Sequence, residues 1–303
     1  MTTFHWTGRD DSEDGPLARR VYHAVTADAP RAVIGFASDE GVRRNQGRVG
    51  AASGPDAIRT ALSGLPIDTD FQGFADLGDV RVEDGDLENG QERLGQTLTH
   101  VLQTHDRVLV LGGGHETAFG SYLGLRGAQP NARIGIVNFD AHLDIRQIGA
   151  NGPSSGTPFN QIRTREGDAF DYLCIGVAEE ANTQALLERA DAWGVRRIMD
   201  HELRDDGRKA FEMIDALILR NDLLYLTIDL DVLPHYQAPG VSAPAVRGVP
   251  LAMIEAMVSH CLERVHAHGR ALPICDIVEL NPYVDQQTMT ARTAAYLARQ
   301  LLT

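Results

Sequence analysis

Apolar runs of strand length alternate with stretches of helical spacing through most of this chain. Residues 32–37, 108–111, 134–139, 172–177, 195–199, 223–228 and 272–278 predict strands, with a weaker one near 74–80. Several of these runs place β-branched residues on consecutive positions, the pattern of parallel strands covered on both faces. Leu94, Leu98, Val101 and Leu102 form a helical stripe, and Leu251, Ile254, Val258, Cys261, Leu262 and Val265 form a second. Ala294, Leu297, Ala298 and Leu301 make a third near the last residue. Strand and helix repeated in this way predict an α/β fold, a three-layer α/β/α sandwich around a mostly parallel sheet. No shift of composition marks a linker, so residues 1–303 read as one domain, in which 1–30 carry no recognisable pattern.

Two connections are long for such a fold. One runs from Asp144 to about Asp171, and the other from Asp231 to Pro250 with Pro234, Pro239, Pro244 and Pro250 stiffening it. Long ordered loops in compact domains are usually functional, and parallel α/β sheets bind ligands at the carboxyl ends of their strands. Both loops leave from acidic segments that terminate apolar runs.

Three such segments carry the chemistry: Gly-Gly-Gly-His115-Glu, Asn-Phe-Asp140-Ala-His142-Leu-Asp144 and Thr-Ile-Asp229-Leu-Asp231-Val. Spacing of i, i+2, i+4 on an extended segment puts Asp140, His142 and Asp144 on one face, and Asp229 with Asp231 repeats the device. The three glycines before His115 allow a tight turn that brings the imidazole inward. A single Asp-x-His is commonly a cap or a turn, but three strand ends supplying four carboxylates and two imidazoles call for cations. Four negative charges match two divalent ions, and an oxygen-rich set with some imidazole suits Mn²⁺ better than a thiolate site suits zinc. Paired ions of this kind can hold a hydroxide at neutral pH.

Charge narrows the partners. The 303 residues include 42 acidic and 28 basic ones, a formal net charge of −14. That excludes nucleic acid, which demands a basic face, and an anionic membrane surface. No apolar stretch has transmembrane length, and the N-terminus has neither a basic start nor an apolar signal core. Three widely spaced cysteines, Cys174, Cys261 and Cys275, predict no disulfide framework and a reducing cytoplasm.

Over nearly its whole length the chain resembles the arginase/ureohydrolase family. The resemblance rests on Gly112-Gly-Gly-His-Glu116, Phe139-Asp-Ala-His-Leu-Asp144, Thr227-Ile-Asp-Leu-Asp231 and Asp276-Ile-Val-Glu279-Leu-Asn-Pro282. It implies an eight-stranded parallel sheet flanked by helices, two Mn²⁺ per subunit and a homo-oligomer. It implies one ion held by His115, Asp140, Asp144 and Asp229, and another by Asp140, His142, Asp229 and Asp231. Glu279 is then the carboxylate that grips the amidine-like end of a small substrate, and Asp144 is both ligand and proton carrier.

Departures from the family pattern indicate the substrate. Arginases and agmatinases usually carry His where this chain has Ser155, Asp where it has Gly114, Ser where it has Glu116, and arginases Asn where it has Arg146. At Ser155, Gly114 and Glu116, and in residues 45–52 and 238–244, the chain is similar to the branch that hydrolyses N-formimidoyl-L-glutamate to L-glutamate and formamide in histidine degradation. Physical chemistry agrees, because a substrate with two carboxylates approaching a protein of charge −14 needs local cations. Arginine grips a carboxylate through two parallel hydrogen bonds. Arg146 and Arg48 are the candidates, with Asn45 and Ser155 as neutral partners. The alternatives are a guanidino hydrolase of the agmatinase or guanidinobutyrase type that releases urea, a deacylase with a single zinc, and a non-catalytic metal-binding relative.

Overall fold

The computed structural model describes residues 4–203 and 206–303. Eight strands alternate with nine helices among these residues: β1 (Arg31–Ala37), α1 (Glu40–Arg44), α2 (Gly54–Ser63), β2 (Ala75–Arg81), α3 (Leu87–Val101), β3 (Arg107–Gly112), α4 (Thr117–Ala128) and β4 (Ile134–Phe139). Then follow α5 (Pro158–Glu166), β5 (Asp171–Val177), α6 (Gln184–Ala192), β6 (Arg196–Met199), α7 (Arg208–Arg220), β7 (Leu223–Asp229), α8 (Leu251–Ala267), β8 (Ala271–Val278) and α9 (Met289–Leu301). The strands form one sheet in the order β2-β1-β3-β8-β7-β4-β5-β6, and every pairing is parallel.

Because side chains alternate across a strand, each strand feeds two cores. Leu109, Leu111, Val137, Phe139, Leu226, Ile228 and Ile277 face one core, which also takes Ile58 and Leu62 of α2, Ile214 of α7, Val258 of α8 and Leu297 of α9. Val108, Val110, Ile134, Ile136, Tyr225 and Ile274 face the other, closed by Leu94 and Leu98 of α3, Leu125 of α4 and Phe159 of α5. All three helical stripes read from the sequence are therefore core faces, and the sandwich and its parallel sheet are as expected. Among the described residues no helix is long and apolar enough to cross a membrane.

Two regions differ from the sequence reading. The connection from Asp144 to Asp171 is not a continuous loop, because it contains α5. Only Phe159 and Ile162 of that helix, together with its leading Pro158, are buried, too few positions to announce a helix. Residues 4–30, which gave no pattern, are packed rather than trailing. Trp6 lies edge-on to Phe74 and donates from Nε1 to Asp76 Oδ2 at 2.7 Å, and isolated bridges join Arg20 to Pro66 and Val25 to Phe74.

The sheet order decides where chemistry can occur. Its four middle strands are β3, β8, β7 and β4, and their last shared rung is level: Leu111 pairs with Ile277, Ile277 with Ile228, and Ile228 with Phe139. Immediately beyond that rung come the Gly112–His115 turn, Glu279, Asp229 and Asp140. Four separate stretches of sequence thus deliver polar residues to one spot at the carboxyl end of the sheet.

Candidate metal centre

The six side chains singled out by spacing converge there. His115, Asp140, Asp144 and Asp229 form one group of mutually close donor atoms, and Asp140, His142 and Asp231 form a second, sharing Asp140. His115 Nδ1 lies 3.1 Å from Asp140 Oδ2, 3.0 Å from Asp144 Oδ2 and 3.1 Å from Asp229 Oδ2. His142 Nδ1 lies 3.0 Å from Asp231 Oδ2 and 3.6 Å from Asp140 Oδ1. Asp229 stands only in the first group. Its Oδ1 accepts from the Asp231 N–H at 2.8 Å, as Asp140 Oδ1 does from the His142 N–H at 2.6 Å.

The surrounding chain orients these groups. His115 Nε2 is 3.1 Å from Thr227 Oγ1, which leaves Nδ1 for the cluster, and the Phe159 ring stands edge-on to the imidazole at 5.4 Å. Asp140 Oδ2 accepts from Asn138 Nδ2 at 2.9 Å. Asn182, which the sequence did not single out, braces the extended Asp140–Asp144 segment. It accepts from the Leu143 N–H at 3.0 Å and donates to the Ala141 carbonyl at 2.9 Å. Two site residues sit in the left-handed region despite being neither Gly nor Asn: Asp144 at φ 47° and Glu279 at φ 69°. Such backbone costs roughly 1–3 kcal/mol per residue and persists where neighbours over-determine it, commonly at functional sites.

Electrostatics shows what the cluster is built to hold. Burial, followed by the charge of Asp231, pushes Asp229 well above the usual carboxylate range, and burial followed by the charge of Asp140 raises Asp144. Burial likewise raises Asp231. Burial opposes the charge on His115, but the carboxylates of Asp140, Asp144 and Asp229 outweigh it and raise that imidazole well above its ordinary value. A set of anions this crowded and dry is unfavourable without cations at its centre. His115 Nδ1 and Asp231 Oδ1 are both buried without a hydrogen-bond partner among the described residues. Donors spaced 3.0–3.1 Å apart suit adjacent positions around a small divalent ion with bonds of roughly 2.1–2.2 Å. The donor set therefore fits hard divalent cations.

A cavity of about 390 Å³ opens over the cluster, lined by His142, Asp144, Asp229, Asp231 and Glu279 at its base. Asn45, Arg48, Arg146 and Ser155, the four residues expected to meet substrate, line it too. They are not equivalent. Arg48 is committed to the chain, with Nε 3.0 Å from the Ser242 carbonyl and Nη2 2.6 Å from that of Val241. Its own carbonyl is held by Asn281 Nδ2 at 3.0 Å, a role for the late Glu-x-Asn-Pro motif that sequence did not reveal. The Arg146 guanidinium has no hydrogen-bond or ion-pair partner among the described residues and stands exposed at the cavity. Asn45 Nδ2 donates to Ser155 Oγ at 3.2 Å across the mouth. His235, the other imidazole in the proline-rich loop, is exposed and does not line this cavity.

Comparison with known proteins agrees with this construction. The profile described as the Arginase family matches residues 29–303. The chain is 47% identical to the formimidoylglutamase of Aeromonas salmonicida (strain A449), covering 98% of this chain and 96% of that one. It is 48% identical to the formimidoylglutamase of Chromobacterium violaceum, with the same coverage. In three dimensions it is similar to the crystal structure of Trypanosoma cruzi formiminoglutamase with Mn²⁺, at TM-score 0.81 and 27% identity, covering 94% of this chain and 97% of that one. With the sheet order, the donor set at the ends of β3, β4 and β7, and these likenesses taken together, the chain belongs to the arginase family.

Proposed function

We propose that this protein is a binuclear manganese hydrolase that cleaves N-formimidoyl-L-glutamate to L-glutamate and formamide. The single observation that carries the reading is the unpaired Arg146 guanidinium facing the same cavity as the carboxylate cluster and Glu279. A substrate with an amidine at one end and carboxylates at the other fits an anionic base and a cationic mouth. The relatives at 47% and 48% identity are formimidoylglutamases, which supports the same choice.

When bound, a pair of Mn²⁺ supplies a hydroxide at neutral pH and positive charge beside the reacting carbon. His115, Asp140, Asp144 and Asp229 would hold one ion, and Asp140, His142, Asp229 and Asp231 the other. Glu279 holds the amidine. Its Oε1 accepts from the His115 N–H at 2.8 Å, which fixes the carboxyl and leaves Oε2 for the substrate. Burial first, and then the neighbouring Glu116 charge, pushes Glu279 up to about 8. An amidinium beside it favours the carboxylate form, so the substrate's cationic state and the ionised Glu279 stabilise each other. Water adds to the formimidoyl carbon, the bond from that carbon to the glutamate nitrogen breaks, and a proton goes to the departing nitrogen. Asp144 carries that proton on Oδ1, because Oδ2 is turned towards His115. Arg146 fixes the distal carboxylate with two parallel hydrogen bonds. Asn45 and Ser155 offer neutral contacts at the mouth, while Arg48 acts mainly by shaping the wall.

The same reading places the protein in a reducing cytoplasm, in keeping with its three buried, unpaired cysteines. It also makes the protein an assembly of identical chains, for which exposed Leu17, Val49, Tyr236, Val246 and Tyr283 offer apolar surface.

Product identity tests the function. Mn²⁺-loaded protein given N-formimidoyl-L-glutamate should release formamide and L-glutamate, and release of urea from arginine or agmatine in its place would contradict the assignment. Arg146→Ala should raise KM about 10- to 100-fold with kcat little changed. A lost charge-assisted contact of about 1.5–3 kcal/mol that is equally strong in ground and transition states has that signature. An unchanged KM would remove Arg146 from substrate binding.

A further inference from the structure

Glu116 follows His115 but points away from the cavity into a fully buried site. Its Oε1 accepts from Ser38 Oγ at 2.8 Å and from the Gly41 N–H at 3.0 Å. The Gly41 carbonyl accepts from the Asn45 N–H at 2.9 Å, and Asn45 Nδ2 donates to Ser155 Oγ at 3.2 Å. One line of hydrogen bonds thus runs from Glu116 through α1 to the mouth of the cavity. Five-residue α1 has little stability of its own. The residues that leave it, Asn45 to Arg48, form one wall of the cavity.

Two glycines complete the arrangement. A Cβ at Gly114 would overlap Glu116 Oε2 and press on Val42 of α1, and a Cβ at Gly41 would overlap the same carboxylate. Glu116 Oε2 itself is buried without a hydrogen-bond partner among the described residues, in space that a side chain at position 114 would occupy. Gly114 and Glu116 are therefore a matched pair: the chain cannot carry a side chain at position 114 while Glu116 fills that space.

We propose that Glu116 is a positioning residue that fixes α1, and through it the Asn45–Arg48 wall that meets the substrate. The consequence for substrate rests on the function proposed above; the anchoring of α1 does not. The test uses four variants of the full chain loaded with Mn²⁺: E116A, E116Q, G114A and E116A/G114A. In E116A the Gly41, Asn45 and Gly47 amides should exchange with deuterium roughly tenfold faster or more, with no substrate present. KM for N-formimidoyl-L-glutamate should rise about tenfold or more while kcat stays within about threefold, and metal content should hold at the wild-type value. E116Q retains the Oε1 acceptor and should restore both readouts. G114A keeps the carboxylate but displaces it, so it should copy E116A, and the double variant should be little worse than either single one. Unchanged exchange and KM in E116A, or strictly additive effects of the two substitutions, would overturn the proposal. If the wild-type protein leaves N-formimidoyl-L-glutamate intact while E116A still loosens α1, the function assignment fails and the anchoring stands.

Discussion

Asp229→Asn is expected to lower kcat/KM about 10³-fold or more, the loss of several kcal/mol of charge stabilisation, and to weaken metal binding with it. Asp229 Oδ2 is one of three carboxylate oxygens around His115 Nδ1, and Oδ1 accepts from the Asp231 N–H. Asn keeps the shape and one carbonyl acceptor, so the strand end should survive. One negative charge of the four is lost. The sign of the stability change is the informative part. Burial and the charges of Asp231 and Asp140 hold the Asp229 carboxyl well above its unfolded range. A carboxyl raised in this way opposes folding at every pH above its unfolded pKa. Without metal, the substituted protein should therefore melt at a higher temperature than metal-free wild type at neutral pH. With Mn²⁺ the order should reverse. Thermal unfolding in chelator and in Mn²⁺, beside turnover and metal analysis, checks all three statements. Full activity in a metal-depleted D229N protein would end this account of the centre.

The largest expected loss of stability lies elsewhere, at Arg59. This side chain is completely buried, with Nη1 2.6 Å from Asp79 Oδ1 and Nη2 3.0 Å from Asp76 Oδ1 and 3.1 Å from the Gly78 carbonyl. It joins α2 to the edge strand β2. Burial works against the guanidinium charge, and the two aspartates more than compensate. Arg59→Ala removes the cation shared by two carboxylates with side-chain exposures of 6% and 3%, leaving Asp76 with Trp6 and Asp79 with Arg81. Breaking one side of a buried ion pair costs about 3–5 kcal/mol. Urea unfolding at neutral pH should show a loss of that size. Turnover below the transition should stay close to wild type, because β1 separates β2 from β3, the nearest strand that leads to a metal-site residue. A loss under about 1 kcal/mol, in the range of exposed pairs, would mean that the network carries no net stability.

These two sites also mark where the sequence was readable. The middle strands and the six clustered side chains were legible because consecutive apolar, β-branched residues end on Asp and His at period-two spacing. Burial on both faces and ligand chemistry are written in the same few residues. The edge strand β2 reads Ala-Asp-Leu-Gly-Asp-Val-Arg and was only faintly visible, since its acidic residues are satisfied by Arg59, twenty and seventeen positions away. Residues 4–30 gave no pattern because single contacts, such as Trp6 on Phe74, hold them in place of a repeating face. Helix α5 buries too little to show periodicity, yet it supplies the Phe159 ring that stands against His115.

Within the site, residue type announced donors but not their geometry. Nothing in Asp144 or Glu279 as residues foretells a positive φ; the fold imposes it. Arg48 and Arg146 look alike as substrate cations in the sequence, and only the fold separates the one bound to the carbonyls of Val241 and Ser242 from the one with no partner among the described residues at the cavity. Asn182 and Asn281 escaped notice because each works on backbone groups far from its own position in sequence. Glu116 was visible as a departure from the family pattern, but its partners Ser38 and Gly41 lie 78 and 75 residues away.

Native mass spectrometry of the wild-type protein during titration with Mn²⁺ tests the central claim most directly. Two overlapping donor groups sharing Asp140 predict saturation at two ions per chain, falling to one when His142 is replaced by Ala. Saturation of the wild type at a single ion, or no retained ion at all, would contradict the account.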